Sequence, residues 1–148
     1  MKRYQPTTPS RRNMTSINYG AVLTTSQPVK SLTRGFKRSV GRNNQGVITT
    51  RHKGSGHKRL FREIDFTYNK INIPYTVKTV EYDPNRSGFI GLAVYKDGEK
   101  RYILLPKGAR VGDTYITAEN AEIKTGNRLR LKNIIIGTFI YNVEVKPQ

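Results

Sequence analysis

From residue 60 onward, apolar and polar positions alternate in short runs broken by turn signals, the spacing of a small barrel or sandwich. The firmest local pattern runs from Phe89 to Leu105. Asp97-Gly98 reads as a two-residue hairpin turn needing φ > 0 at both positions, which Asp and Gly tolerate best. That turn predicts a pairing in which Lys96 faces Glu99, Val94 faces Arg101, Leu92 faces Ile103 and Ile90 faces Leu105. One face then carries Ile90, Leu92, Ile103 and Leu105. The other, with Gly91, Ala93, Tyr102 and Leu104, is small or mixed, as in a strongly curved ribbon. A preceding strand is predicted over Val77 to Tyr82, stopped by Asp83-Pro84-Asn85. A last strand is predicted where Phe139, Tyr141, Val143 and Val145 alternate with Ile140, Asn142, Glu144 and Lys146. Ile134, Ile135 and Ile136, between Asn133 and Gly137, fit either a helical turn plugging the barrel or a strand. The pattern therefore predicts an all-β domain over residues 60–148, a small five-stranded barrel like the OB-fold, the commonest nucleic-acid-binding barrel of this size.

Residues 1–59 show neither period. Up to residue 40, basic residues alternate with Thr, Ser, Pro and single apolar residues, which predicts an extended arm. Met14, Ile17, Tyr19, Val22 and Leu23 offer docking points but too little for a core. The stretch from Gly41 to Arg62 combines Arg42, Arg51, Lys53, Lys58, Arg59 and Arg62 with Asn43, Asn44, Gln45, His52, His57 and four glycines. Long basic side chains neutralise phosphates, and glycines let backbone N–H groups approach them. The apolar pairs Val47-Ile48 and Leu60-Phe61 are expected to pin this stretch to the folded body.

Charge sharpens the division. The net charge is +17, and residues 1–62 hold 14 Lys or Arg and no Asp or Glu, against 13 and 10 in the remainder. The excess therefore lies in the N-terminal part and calls for a polyanion. An anionic membrane is the weaker candidate, because the basic part lacks an amphipathic helix. No apolar run approaches a bilayer span. The Arg-rich start resembles an organellar transit peptide only superficially, since Pro6, Pro9 and Pro28 spoil an amphipathic helix.

Catalytic patterns are weak. There is no cysteine. His52 and His57 lie five apart on a glycine-rich loop without a nearby carboxylate, so no metal site is suggested. Ser55 beside the histidines lacks an acid to orient a base. The acid pairs Glu63/Asp65, Glu81/Asp83 and Asp97/Glu99 read as solvated edges or ion-pair partners, with Glu63 and Asp65 orienting Arg59 and Arg62. No cofactor is expected, with Mg2+ entering only through bound RNA, and an enzyme is not predicted. RNA is preferred over duplex DNA because no recognition helix is available for a major groove. Thr49 and Thr50 offer polar contacts, and Tyr68, Tyr75 and Tyr82 are stacking candidates, although aromatic residues in a β domain are more often core.

These residues carry a resemblance. GRNNQGVITTRHKGSGHKRLFREIDF, then EYDPNRS, YKDGEKRYILLPKG, VGD and NVEVKP, with YQPTTPSRR at the start, closely resemble large-subunit ribosomal protein two along essentially the whole chain. The resemblance implies an extended arm, an OB-fold and binding to large-subunit rRNA beside other ribosomal proteins. It implies RNA contacts at Arg42, Asn43, Asn44, Arg51, His52, Gly54, Gly56, His57, Lys58 and Arg59, at Arg86, and at Arg11 and Arg12. The charge distribution adds Arg3, Lys30, Arg34, Lys37, Arg38, Lys53 and Arg62. Val47, Ser55, Phe61 and Ile135 depart from the family pattern. The resemblance implies a second, SH3-like domain that this chain is expected to lack, and the histidine noted there is not expected to correspond to His52 or His57. The expectation is a structural component of the large subunit, one half of a split protein whose other half is a separate chain. The expected compartment is the mitochondrial matrix, with chloroplast stroma or bacterial cytoplasm as alternatives.

Overall fold

The computed structural model describes residues 1–38 and 40–145. The chain begins with a small ribbon in which β1 (Lys2–Arg3) pairs antiparallel with β2 (Thr15–Ser16). Between them, Thr8 caps the one-turn helix α1 (Pro9–Arg12), accepting the Arg11 N–H, and Pro9 occupies a first-turn position that needs no N–H. A second single turn, α2 (Tyr19–Val22), and a 3₁₀ turn at Lys30–Leu32 follow. The arm is thus extended chain interrupted by helical turns too short to leave a 3.6-residue period. β3 (Thr33–Gly35) pairs antiparallel with β4 (Leu60–Arg62), placing the two ends of the intervening basic stretch side by side.

The principal sheet has the order β7-β6-β5-β8, all antiparallel, from β5 (Tyr75–Glu81), β6 (Ile90–Tyr95), β7 (Lys100–Leu104) and β8 (Thr114–Tyr115). A register shift between Val77 and Thr79 leaves Lys78 as an extra residue in β5, which bends the strand and helps the sheet curl. Single bridges between Ile64 and Tyr102 and between Thr117 and Arg128 carry pairing beyond the four strands. This curled antiparallel half-barrel is all-β and OB-fold-like, as the sequence pattern predicts.

The hairpin register differs from expectation by one residue. Gly98 has φ +87 while Asp97 keeps negative φ, so the turn is a three-residue loop rather than the mirror-image type. The Gly98 N–H donates to the Tyr95 carbonyl at 2.9 Å, and Asp97 Oδ1 accepts the Glu99 N–H at 3.1 Å. Leu92 therefore faces Tyr102, Ile90 faces Leu104, and Ile103 moves to the opposite face beside Gly91. Both faces of β6 are buried, so hydrophobic alternation could not choose between the two registers.

Two apolar clusters result. Val77, Val80, Ala93, Tyr95 and Ile103 pack with Tyr68, Tyr75 and Tyr115 on one face. Ile90, Leu92 and Tyr102 form the other, closed by Val29 and Leu32 of the arm together with Ile64 and Leu104. The Tyr102 hydroxyl, fully buried, donates to Glu81 Oε2 at 2.7 Å and accepts the Val29 N–H at 2.8 Å. Burial, reinforced by that carboxylate, pushes the phenol above its usual titration range. Thr24 adds a further tie, its N–H donating to the Val80 carbonyl while its Oγ1 accepts the Val80 N–H.

The predicted last strand is not formed over residues 139–145, and Lys146 lies outside the described residues. Asn142 has φ +52, a left-handed conformation that interrupts extended chain, and Phe139 and Val145 are almost wholly exposed. The isoleucines 134–136 form neither a strand nor a plug. The 3₁₀ turn ends before them at Leu131–Asn133, and Ile136 is fully exposed.

Candidate nucleic-acid interface

The basic stretch is built on a small, self-satisfied hairpin. The Gly41 carbonyl accepts the N–H groups of Thr49 at 2.7 Å and Thr50 at 3.1 Å, as well as the Thr49 hydroxyl at 3.1 Å. Gly41 itself is buried with φ +69, and a Cβ there would lie 2.3 Å from the Thr50 carbonyl oxygen. Only glycine fits. At the tip, the N–H of Asn43 donates to the Val47 carbonyl and the N–H of Gly46 to the Asn43 carbonyl, with Gly46 at φ +81. Asn43 Oδ1 accepts from the N–H groups of Gln45 and Val47, and the Arg42 guanidinium donates to the Gly46 carbonyl at 2.8 Å. The loop's backbone demands are thus met within ten residues. Its side chains are left to solvent, since every residue from Arg42 to Leu60 is exposed.

That exposure revises one expectation. Val47 and Ile48 do not pin the stretch to the body, being 58% and 57% exposed. Leu60, 43% exposed, and Phe61, beside Phe36, are not part of the sheet's apolar clusters either, and the tie to the sheet comes after β4, where the Asp65 N–H donates to the Tyr102 carbonyl at 2.8 Å. The Arg38 guanidinium adds a strut by donating to the Ser55 carbonyl at 3.1 Å.

The predicted contact residues fall into three groups. Arg34, Lys37 and Arg38 join Arg42, Asn43, Asn44, Arg51, His52, Lys53, Gly54, Gly56, His57, Lys58 and Arg59 through the β3–β4 pairing, and Lys30 precedes them on the 3₁₀ turn. His52, at φ +60, and Gly56, at φ +63, turn the chain between these cations. Arg3, Arg11 and Arg12 lie apart, exposed on the N-terminal ribbon and its helix. Arg86 sits on the Asp83–Arg86 turn, its Nε 2.5 Å from buried Asp83, and Asn85 fastens that turn to the root of the loop by donating to the Leu60 carbonyl at 3.0 Å.

Arg62 differs from the rest. It is 8% exposed, and its guanidinium donates to the same Leu60 carbonyl at 2.8 Å. Its side chain is turned into the protein, unlike the exposed bases around it.

Five of the six paired acids are ion-pair partners, as expected, but with other bases or in other surroundings than the sequence suggested. Glu63 pairs with Arg34 at 3.8 Å and Asp65 with Arg101 at 2.8 Å, rather than with Arg59 and Arg62. Glu81 and Asp83 are buried, not solvated. Asp97 and Glu99 both pair with Lys70. Burial alone would raise the Asp65 carboxyl. The Arg101 guanidinium, the Thr67 hydroxyl and the Thr67 and Tyr68 N–H groups outweigh it and hold the group below 3.8.

Tyr68 and Tyr75 are core residues, whereas Tyr82 is 45% exposed with Tyr19 edge-on at 5.4 Å. Sequence reasoning overlooked Phe36, 44% exposed and stacked near Phe61. The alternation Arg34-Phe36-Arg38 was its signal. Among the described residues, no group of three or more His, Cys, Asp or Glu is arranged to hold a metal, and no helix is long and apolar enough to cross a membrane.

Of the bases within residues 1–62, only Arg34 has an acidic partner among the described residues. An exposed cationic surface joined to a β half-barrel is the arrangement expected of a protein that neutralises a polyanion. Comparison with protein families agrees: residues 29–117 match the model described as "Ribosomal Proteins L2, RNA binding N-terminal domain". The match begins at Val29, whose N–H donates to the Tyr102 hydroxyl, and takes in the whole loop and the four-stranded sheet. The chain belongs to the ribosomal protein L2 family, structural proteins that bind RNA in the large ribosomal subunit.

Proposed function

We propose that this chain organises large-subunit rRNA by laying residues 30–59, and the ribbon bearing Arg3, Arg11 and Arg12, between RNA segments while the half-barrel fixes their root. The observation that carries this reading is the contrast in pairing. Six acids of the β domain, Asp65, Asp83, Asp97, Glu99, Glu119 and Glu144, pair with bases of the same domain, while among the described residues the bases of the first 62, Arg34 excepted, have no acidic partner. The role is assembly and rigidification of RNA without catalysis, and any Mg2+ enters with the RNA. The domain division we propose is arm and loop over residues 1–59 and β domain over 60–148. The test is sedimentation of a tagged chain, which should travel with large subunits in gentle salt. A tagged chain found only in free fractions sinks the proposal.

We extend the proposal to a two-chain arrangement, in which a separate chain supplies the family's second domain within a mitochondrial ribosome. Exposed Ile136, Phe139 and Val145 support it, because such apolar side chains are stabilised by cover. Cross-linking from this segment in purified particles should identify that chain. Cross-links to RNA alone would overturn the two-chain arrangement and leave rRNA binding intact.

A further inference from the structure

At the root of the basic loop, four side chains form a stack that the fold itself does not use. In the β3–β4 ribbon Arg34 stands directly opposite Phe61, and Phe36, two residues further on, falls on the same face. The Arg34 guanidinium carbon lies 4.6 Å from the centre of the Phe61 ring, and that of Arg38 lies 5.7 Å from the Phe36 ring. The two rings are 5.8 Å apart and tilted by 30°. Each ring thus lies beside the other and has one guanidinium near it. This face points away from Arg62, the buried side chain of the ribbon, and neither phenylalanine belongs to the apolar clusters of the sheet. A two-stranded ribbon is marginal by itself, so aromatic rings left on its outer face are an expense without an internal return.

We propose that Phe36 and Phe61, flanked by Arg34 and Arg38, form a stacking platform for an unpaired RNA base. The proposal rests on the rRNA-binding function above and deepens it. Aromatic faces and guanidinium planes stack on any nucleobase, while a base inside an A-form helix has no free face to offer. The ligand is therefore a single-stranded or bulged nucleotide. Charge favours RNA over a protein partner, since the first 62 residues contain no acid and the platform is bounded by two arginines. Arg38 also donates to the Ser55 carbonyl, so a base on the platform would have its flanking phosphates near Lys53 to Arg59.

The chain has no tryptophan, so Phe36→Trp in the full chain introduces a single indole reporter. Its emission should be quenched by a single-stranded oligoribonucleotide and unaffected by an RNA duplex of equal length at the same low salt. The Phe36→Leu/Phe61→Leu double variant, with its fold checked by circular dichroism, should bind the single strand about tenfold more weakly, with an unchanged salt slope because no charge is removed. If both RNAs bind with the expected salt dependence while the indole does not respond and the double variant loses nothing, the platform is overturned and RNA binding stands. If neither RNA binds, RNA binding falls and the platform with it. An indole response to other ribosomal proteins without RNA assigns the face to a protein and also overturns the platform.

Discussion

The hairpin at Gly41–Thr50 and the hairpin at Ile90–Leu104 are built with the same turn device and serve opposite ends. Each closes through a loop ending in a glycine of positive φ, Gly46 in one and Gly98 in the other, with an Asn or Asp side chain accepting backbone N–H groups. In the second, both faces of β6 are buried and the acids beside the turn are paired, with Lys70 between Asp97 and Glu99. In the first, Val47 and Ile48 are exposed and the surrounding cations lack acidic partners. The lesson is that similar local turns leave function open. What the side chains are matched with decides whether a hairpin stabilises the protein or reaches for another molecule.

The largest expected effect separates the two regions by salt. If the arm and loop make about 6–10 phosphate contacts, rRNA affinity should fall by roughly 10³–10⁵ between 50 and 200 mM salt, while the melting temperature of the free chain stays nearly constant. Filter binding and thermal unfolding over the same salt series check this, and a parallel loss of both would erase the distinction. Next is the core. Ile90→Ala should cost about 2–5 kcal/mol of stability, read by chemical denaturation, because Ile90 is fully buried between the sheet and the arm.

The loop counterpart is Gly41→Ala. It places a Cβ against the Thr50 carbonyl at a position of positive φ, so the 41–50 hairpin should distort and rRNA affinity should fall about tenfold, with the sheet's unfolding midpoint nearly unchanged. Nuclear magnetic resonance shifts confined to the loop would confirm the separation. The smallest effects concern ion pairs. Arg101→Met should cost roughly 1–3 kcal/mol near neutral pH by removing the cation from Asp65. Asp65 has its pKa lowered on folding, so its contribution is present above 3.8 and is lost as pH falls through the depressed folded value. The gap between wild type and variant should therefore close in acid. Glu63→Gln, at an exposed pair 3.8 Å apart, should change stability by less than about 0.5 kcal/mol.

Much of this was legible in the sequence. The β class, the strand beginning near Val77, the turn at Asp83 and the cationic surface all follow from alternation, turn residues and charge. The hairpin register was not, because Ile90, Leu92, Ala93 and Ile103 are apolar whichever face they occupy. Only the backbone conformation of Asp97 distinguishes a two-residue turn from a three-residue loop. The last strand was overpredicted because alternation from Phe139 to Val145 carries no sign that Asn142 turns left-handed. Within the interface, cations are visible in sequence but their commitments are not. Arg62 looks like its neighbours until its burial on the Leu60 carbonyl is seen. The Phe36–Phe61 stack required the pairing of strands that lie 25 residues or more apart in the chain, a relation that no local pattern encodes.

The closed ladder of the Gly41–Thr50 hairpin has a consequence for timing. All its backbone bonds join residues fewer than ten apart, so it can form within about 1–10 µs, without waiting for the long-range pairing of the sheet. A hairpin shaped before contact should dock with little of the heat-capacity change that marks a segment folding onto its partner.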